Sequence, residues 1–222
     1  MRSRRAVPTG KANAMSNSYK KAVIVVDLQA DFTELHQGSL AVRGTDQGYL
    51  DMVIAATKAY AGEGCPVICT QDYHPADHVS FYTNHPGRKA FDTISLGNVR
   101  QTLWPPHCIQ GAAGARLLLP QELITEVAVK GADSRFDSYS GFRDDGGHET
   151  NLQVILDSLG IHELIIYGLA TDYCVRYTVL DALNRGFRVR VRLDLCRGVS
   201  RDTTDLAINE MVSAGAILEP QH

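Results

Sequence analysis

Apolar residues in this chain gather in short continuous runs, separated by stretches with a helical period. Ala22-Val23-Ile24-Val25-Val26 places five small or β-branched apolar residues in a row. Such a run predicts a strand buried on both faces, and therefore central in a parallel sheet. Similar runs predict strands over 66–70, 126–130, 163–167 and 187–193, with a short sixth over 216–218. Leu50, Val53, Ile54, Thr57 and Tyr60 recur at helical spacing within 47–63, and Gly62 and Gly64 supply the stop. Further helices are predicted over 150–159, 173–184 and 201–213, the last two ended by Gly186 and Gly215. The order β-α-β-loop-β-α-β-α-β-α-β predicts a three-layer α/β/α fold around a mostly parallel, about six-stranded sheet. The stretch from Asp72 to Gly114 reads as one long segment containing Pro, His and Gly. It is too long for an ordinary connection, which marks it as functional.

Length and composition then bound the class. The 222 residues fit one α/β domain over 19–222, and no internal repeat or Ser/Gly linker divides them. Residues 1–18 read as a disordered extension. They carry Arg2, Arg4, Arg5 and Lys11, with no acid before Asp27. They lack the apolar core of a signal peptide. A transit peptide shares this composition; Met15 offers an alternative start. With 22 basic against 25 acidic residues, the net charge of −3 lacks the basic excess of a nucleic-acid or membrane-surface binder. No apolar run approaches the ~20 residues of a membrane span. Five cysteines, an odd number with no secretory signal, predict reduced thiols in the cytoplasm. A homo-oligomer is compatible with all of this.

In an open parallel sheet, ligands bind beyond the carboxyl ends of the strands. The first predicted strand ends at Asp27, the second at Asp72 and His74, and the third at Lys130. The fourth leads through Gly168-Leu169-Ala170-Thr171 to Cys174, in the predicted first turn of a helix with Thr171 as its cap. An acid, a base, a thiol and metal-type ligands therefore meet on one rim. A free thiol has a pKa near ~8.5. A helix N-terminus lowers it by less than one unit, whereas an ammonium about 4 Å away contributes up to ~4 kcal/mol. Lys130 is thus the stronger expected activator of Cys174. The N–H groups of Ala170 and Cys174 are candidates to hold an oxyanion. Asp27 is a candidate acid/base whose pKa burial would raise. Asp72 and His74, two residues apart on a strand end, suit a divalent metal. Spacing leaves the third ligand open among His78, His85 and His107. Trp104 and Phe32 are candidate walls for a planar ligand. His36, His148, His162 and His222 read as surface, and Cys65, Cys69, Cys108 and Cys196 as inert buried thiols. No nucleotide-loop or zincin motif is present.

The segments VVDLQADF (25–32), TQDYHPADHVSF (70–81), LWPPHCIQGAAG (103–114), VKGADSRFDSYSGF (129–142) and GLATDYCV (168–175) are similar to those of the nicotinamidases, within the isochorismatase-like cysteine hydrolase superfamily. The resemblance implies that Asp27, Lys130 and Cys174 form a catalytic triad. It implies that Asp72, His74 and His107 bind one divalent metal ion, zinc foremost, with iron or manganese as alternatives; His78 stays outside the set. It implies a cis Leu169–Ala170 peptide and a pyridine ring held between Phe32 and Trp104, beside Ala170. The implied reaction is hydrolysis of nicotinamide to nicotinic acid and ammonia through a cysteine thioester, in NAD salvage, with pyrazinamide as a further substrate. Three alternatives stand beside it. They are another amidase of the superfamily with a non-pyridine substrate, a metal-activated water with Cys174 structural, and a non-catalytic binding protein on this fold.

Overall fold

The computed structural model of the protein describes residues 20–97 and 99–219, Val99 through its backbone alone. The 1–18 extension and His222 lie outside the described residues. In chain order the elements are β1 (Lys21–Val26), α1 (Gln47–Gly62), β2 (Val67–Asp72), β3 (Thr93–Leu96), β4 (Val99–Thr102) and β5 (Glu126–Lys130). There follow α2 (Leu152–Ser158), β6 (Glu163–Leu169), α3 (Arg176–Asn184), β7 (Arg188–Arg197), α4 (Arg201–Ser213) and β8 (Ile217–Leu218).

Six strands form one sheet in the order β5-β2-β1-β6-β7-β8, and every pair is parallel. The apolar run of β1 is fully buried from Ala22 to Val26, as a central strand requires, and β6 is buried along its whole length. α1 packs against β7, α2 against β5, and α3 against both β7 and α4. Asp46 caps α1 by accepting from the Tyr49 N–H at 2.9 Å, and the Ser200 side chain caps α4. The chain leaves β1 toward β2 on one side and β6 toward β7 on the other. The switch of direction opens a crevice above the carboxyl ends of β1 and β6. At that point β6 presses closely on β1. A Cβ on Gly168 would lie 2.1 Å from the Val26 carbonyl oxygen.

Two expectations need correction. The 72–114 stretch is not one loop: β3 and β4 pair antiparallel within it, Thr93 opposite Thr102. These four-residue strands are too short to show a period. The helix expected from Tyr173 starts later. Thr171–Val175 forms a π-helical turn, Tyr173 departs from helical backbone (φ −124°, ψ −105°), and α3 begins at Arg176. Thr171 makes no capping bond. Cys174 therefore sits in a distorted turn before the regular helix. No helix among the described residues is long and apolar enough to cross a membrane.

Candidate active site

Four adjacent strands deliver the reactive groups. β5 ends on Lys130, its register partner on β2 is Asp72, β1 is followed by Asp27, and β6 leads to Cys174. Asp27 turns its backbone into the left-handed region (φ 45°), which aspartate tolerates better than most residues. Lys130 Nζ lies 2.9 Å from Asp27 Oδ2 and 3.4 Å from Cys174 Sγ. It also donates to Asp72 Oδ1 and, at 2.8 Å, to the Ser138 carbonyl. Thr70 Oγ1 donates to Asp27 Oδ1 at 2.6 Å. Asp27 Oδ2 is in ionic contact with Lys130 but makes no aligned hydrogen bond, so it remains free to take a proton.

All these groups are buried, and burial sets the direction for Asp27 and Cys174. It raises the Asp27 carboxyl, with Lys130 opposing and Asp72 adding to the rise. Burial also pushes the Cys174 thiol well above its ordinary range; Lys130 opposes this, while Asp27 and Asp72 reinforce it. Lys130 thus acts on the thiol in the expected direction without overcoming its burial. Its charge is shared with two carboxylates. Lys130 itself stays an ammonium, because Asp27 and Asp72 outweigh its own desolvation.

Two groups of candidate ligand atoms converge within 4.8 Å: those of Asp72, His74 and His107, and those of Asp27, Asp72 and Cys174. The second already surrounds the Lys130 ammonium. The first suits a metal. His74 Nδ1–H donates to the Gly131 carbonyl and His107 Nδ1–H to the Pro105 carbonyl, each at 2.8 Å. Both bonds leave Nε2 as the free lone pair. The two Nε2 atoms stand 3.6 and 4.0 Å from Asp72 Oδ2, separations that suit one cation with bonds of roughly 2.0–2.2 Å. Burial and the neighbouring His74 push His107 down to about 4. Asp72 stays below the carboxylate range, because Lys130, His74 and His107 overcome its burial. Gly131 makes room for the ligand: a Cβ there would meet the His74 ring at 2.3 Å. The His78 ring packs at a tilt against His74, but Ser80 and the Phe136 carbonyl occupy its two ring nitrogens. His85 Nε2 bonds the Val79 carbonyl.

A cleft of about 460 Å³ opens onto both centres. Its walls include Phe32, Trp104, Ala170 and Cys174, with Asp72 and His107 at its floor. The Leu169–Ala170 peptide is cis. Trp104 packs edge-on against Tyr173 and donates its Nε1–H to the Tyr139 hydroxyl at 3.0 Å.

The chain from residue 21 to 220 matches the isochorismatase domain. The chain belongs to the isochorismatase family. It is 43% identical over 203 residues to the nicotinamidase of Escherichia coli, covering 89% of this chain and 93% of that protein. A protein of L. infantum solved in complex with nicotinate superposes with a TM-score of 0.76 at 34% identity, over 91% of this chain and 93% of that one. A pyrazinamidase of Pyrococcus horikoshii solved in complex with zinc gives 0.75 at 31%, over 91% and 99%.

This isochorismatase-family site includes residues that periodicity and motif spacing passed over. Gln29 clamps the Asp72 backbone, accepting its N–H and donating to its carbonyl, both at 2.8 Å. Thr70, Tyr139, Tyr173 and Asp137 also face the site. For Gln29 and Thr70 a signal was available: each is a polar residue beside or within a buried apolar strand, where it needs a partner. His36, His148 and His162 are exposed, as expected. All five cysteines are free and buried, and burial raises Cys69 and Cys196 to about 12.

Proposed function

We propose that this protein is a nicotinamidase, hydrolysing nicotinamide to nicotinic acid and ammonia, and that its acid product enters NAD salvage. One observation carries the reading: the Cys174 sulfur lies 3.4 Å from an ammonium that also contacts Asp27 at 2.9 Å, inside a cleft between Phe32 and Trp104. In this reading Asp27, Lys130 and Cys174 are catalytic, and residues 19–222 act as one domain.

At rest the thiol is protonated, as its burial requires. Asp27, lifted toward the thiol by its own burial, takes the Sγ proton on Oδ2. The Lys130 ammonium stabilises the sulfur anion that forms, by ~4 kcal/mol at an effective dielectric near 20. The sulfur attacks the carboxamide carbon, and the carbonyl π pair moves onto oxygen. The N–H groups of Ala170 and Cys174 receive that oxyanion. Asp27 returns the proton to the amide nitrogen as the C–N bond breaks. Ammonia leaves and a thioester remains on Cys174. Asp27 then deprotonates a water that attacks the thioester, and nicotinic acid departs as the thiol is restored.

Asp72, His74 and His107 would hold the metal, zinc in our reading. When bound, it supplies a positive charge and a coordination position for the pyridine nitrogen, which orients the ring. Phe32 and Trp104 clamp the ring faces. Pyrazinamide has the same ring-nitrogen and carboxamide arrangement, and we include it as a substrate.

The test is ammonia release from nicotinamide by purified, zinc-loaded, reduced protein. Turnover that Cys174→Ala and His74→Ala each abolish supports the reading. A wild type that releases no ammonia, or a His74→Ala variant of full activity, removes it.

A further inference from the structure

We infer that Asp137 is a charge filter for this cleft: a buried carboxylate that repels the anionic acid product and spares the neutral amide. The inference rests on the nicotinamidase reading, which makes the substrate neutral and the product an anion.

Asp137 lines the same cleft as Cys174, Trp104 and Ala170, and is 4% exposed. Both its oxygens accept hydrogen bonds. Gln101 Nε2 donates to Oδ2 at 2.6 Å, and the Ser138 N–H donates to Oδ1 at 2.9 Å. Acceptance at both oxygens is the pattern of an ionised carboxylate. The ion pairs of the site join Lys130 to Asp27 and Asp72, and the two histidines to Asp72. Asp137 belongs to none of them. Its charge is held by neutral donors, and the proposed chemistry makes no use of it. Neutral donors hold the carboxylate in place and bring no counter-charge of their own.

The reaction changes the charge of the bound molecule. A carboxamide is neutral, whereas a carboxylic acid is ionised at neutral pH. Two like charges about 8 Å apart, at an effective dielectric of roughly 20–40, weaken binding roughly 5- to 30-fold. A neutral ligand does not experience this cost. Asp137 would therefore speed product release and limit product inhibition, without lowering affinity for the amide.

The experiment is steady-state ammonia release at pH 7.5 with nicotinate as competitive inhibitor. Its readout is the ratio of the nicotinate Ki to the nicotinamide KM. In Asp137→Asn the ratio falls about fivefold or more, whereas the charge-retaining Asp137→Glu keeps the wild-type ratio. Where Asp137→Asn fails to fold, Asp137→Ser carries the same prediction. Wild-type protein serves as a test without any variant, because it should bind neutral 3-acetylpyridine more tightly than nicotinate. A ratio unchanged in the neutral variants, or wild type favouring nicotinate over 3-acetylpyridine, overturns the filter alone. A wild type without ammonia release overturns the nicotinamidase reading and the filter with it.

Discussion

Replacing Lys130 by methionine keeps an unbranched side chain, one heavy atom shorter, and removes its charge. Nζ is the cation between two buried carboxylates, 2.9 Å from Asp27 and in contact with Asp72. Removing one partner of a buried ion pair costs about 3–5 kcal/mol. Part of that returns, because Asp27 takes a proton rather than remain charged. We expect a net loss of about 3 kcal/mol at pH 8. The sign of its pH dependence follows from Asp27, whose carboxyl burial already raises and Lys130 restrains. Without the ammonium it rises further. A carboxyl whose folded pKa exceeds its unfolded value makes the folded chain bind more protons. Stability then falls as pH climbs from about 4 through the folded value. The deficit of Lys130→Met is therefore small near pH 4.5 and largest at pH 8. Urea unfolding at the two pH values measures it. Activity falls too, since the ~4 kcal/mol given to the sulfur anion corresponds to about 10³ in kcat. A variant within ~1 kcal/mol of wild type at pH 8, or within tenfold in kcat, would refute this account of Lys130.

Other substitutions probe other parts of the site. Gly131→Ala puts a methyl 2.3 Å from the His74 ring; zinc affinity, measured by competition with a chelator, should fall at least about tenfold. Unchanged affinity would mean that the ring can shift without loss of the site. Tyr139→Phe removes the acceptor of the Trp104 Nε1–H and should raise the nicotinamide KM several-fold, a cost of about 1 kcal/mol; an unaltered KM contradicts a wall held by that bond.

The parallel sheet was legible because burial on both faces leaves an unbroken apolar run, as in β1 and β6. The convergence of Asp27, Asp72, Lys130 and Cys174 was legible because strand ends share one rim. The β3–β4 hairpin was not, since four-residue strands carry no period. The π-helical turn before α3 was not legible either: Tyr173, whose ring meets Trp104 and Tyr139, leaves helical backbone within a segment of helical period. Asp137 and Gln101 lie 36 residues apart in segments without pattern, and only the folded chain shows them bonded. Lys130 was legible as a counter-charge for the Cys174 thiol, whereas its two carboxylate partners are seen together only in the folded chain.

The proposed chemistry passes through an acylated Cys174. Rapid acid quenching during turnover of nicotinamide, followed by mass spectrometry of the digested protein, tests it most directly. A nicotinoyl group is expected on the peptide bearing Cys174, and none in Cys174→Ser. Ammonia release with no adduct on that peptide, and with Cys174→Ser still active, would contradict it.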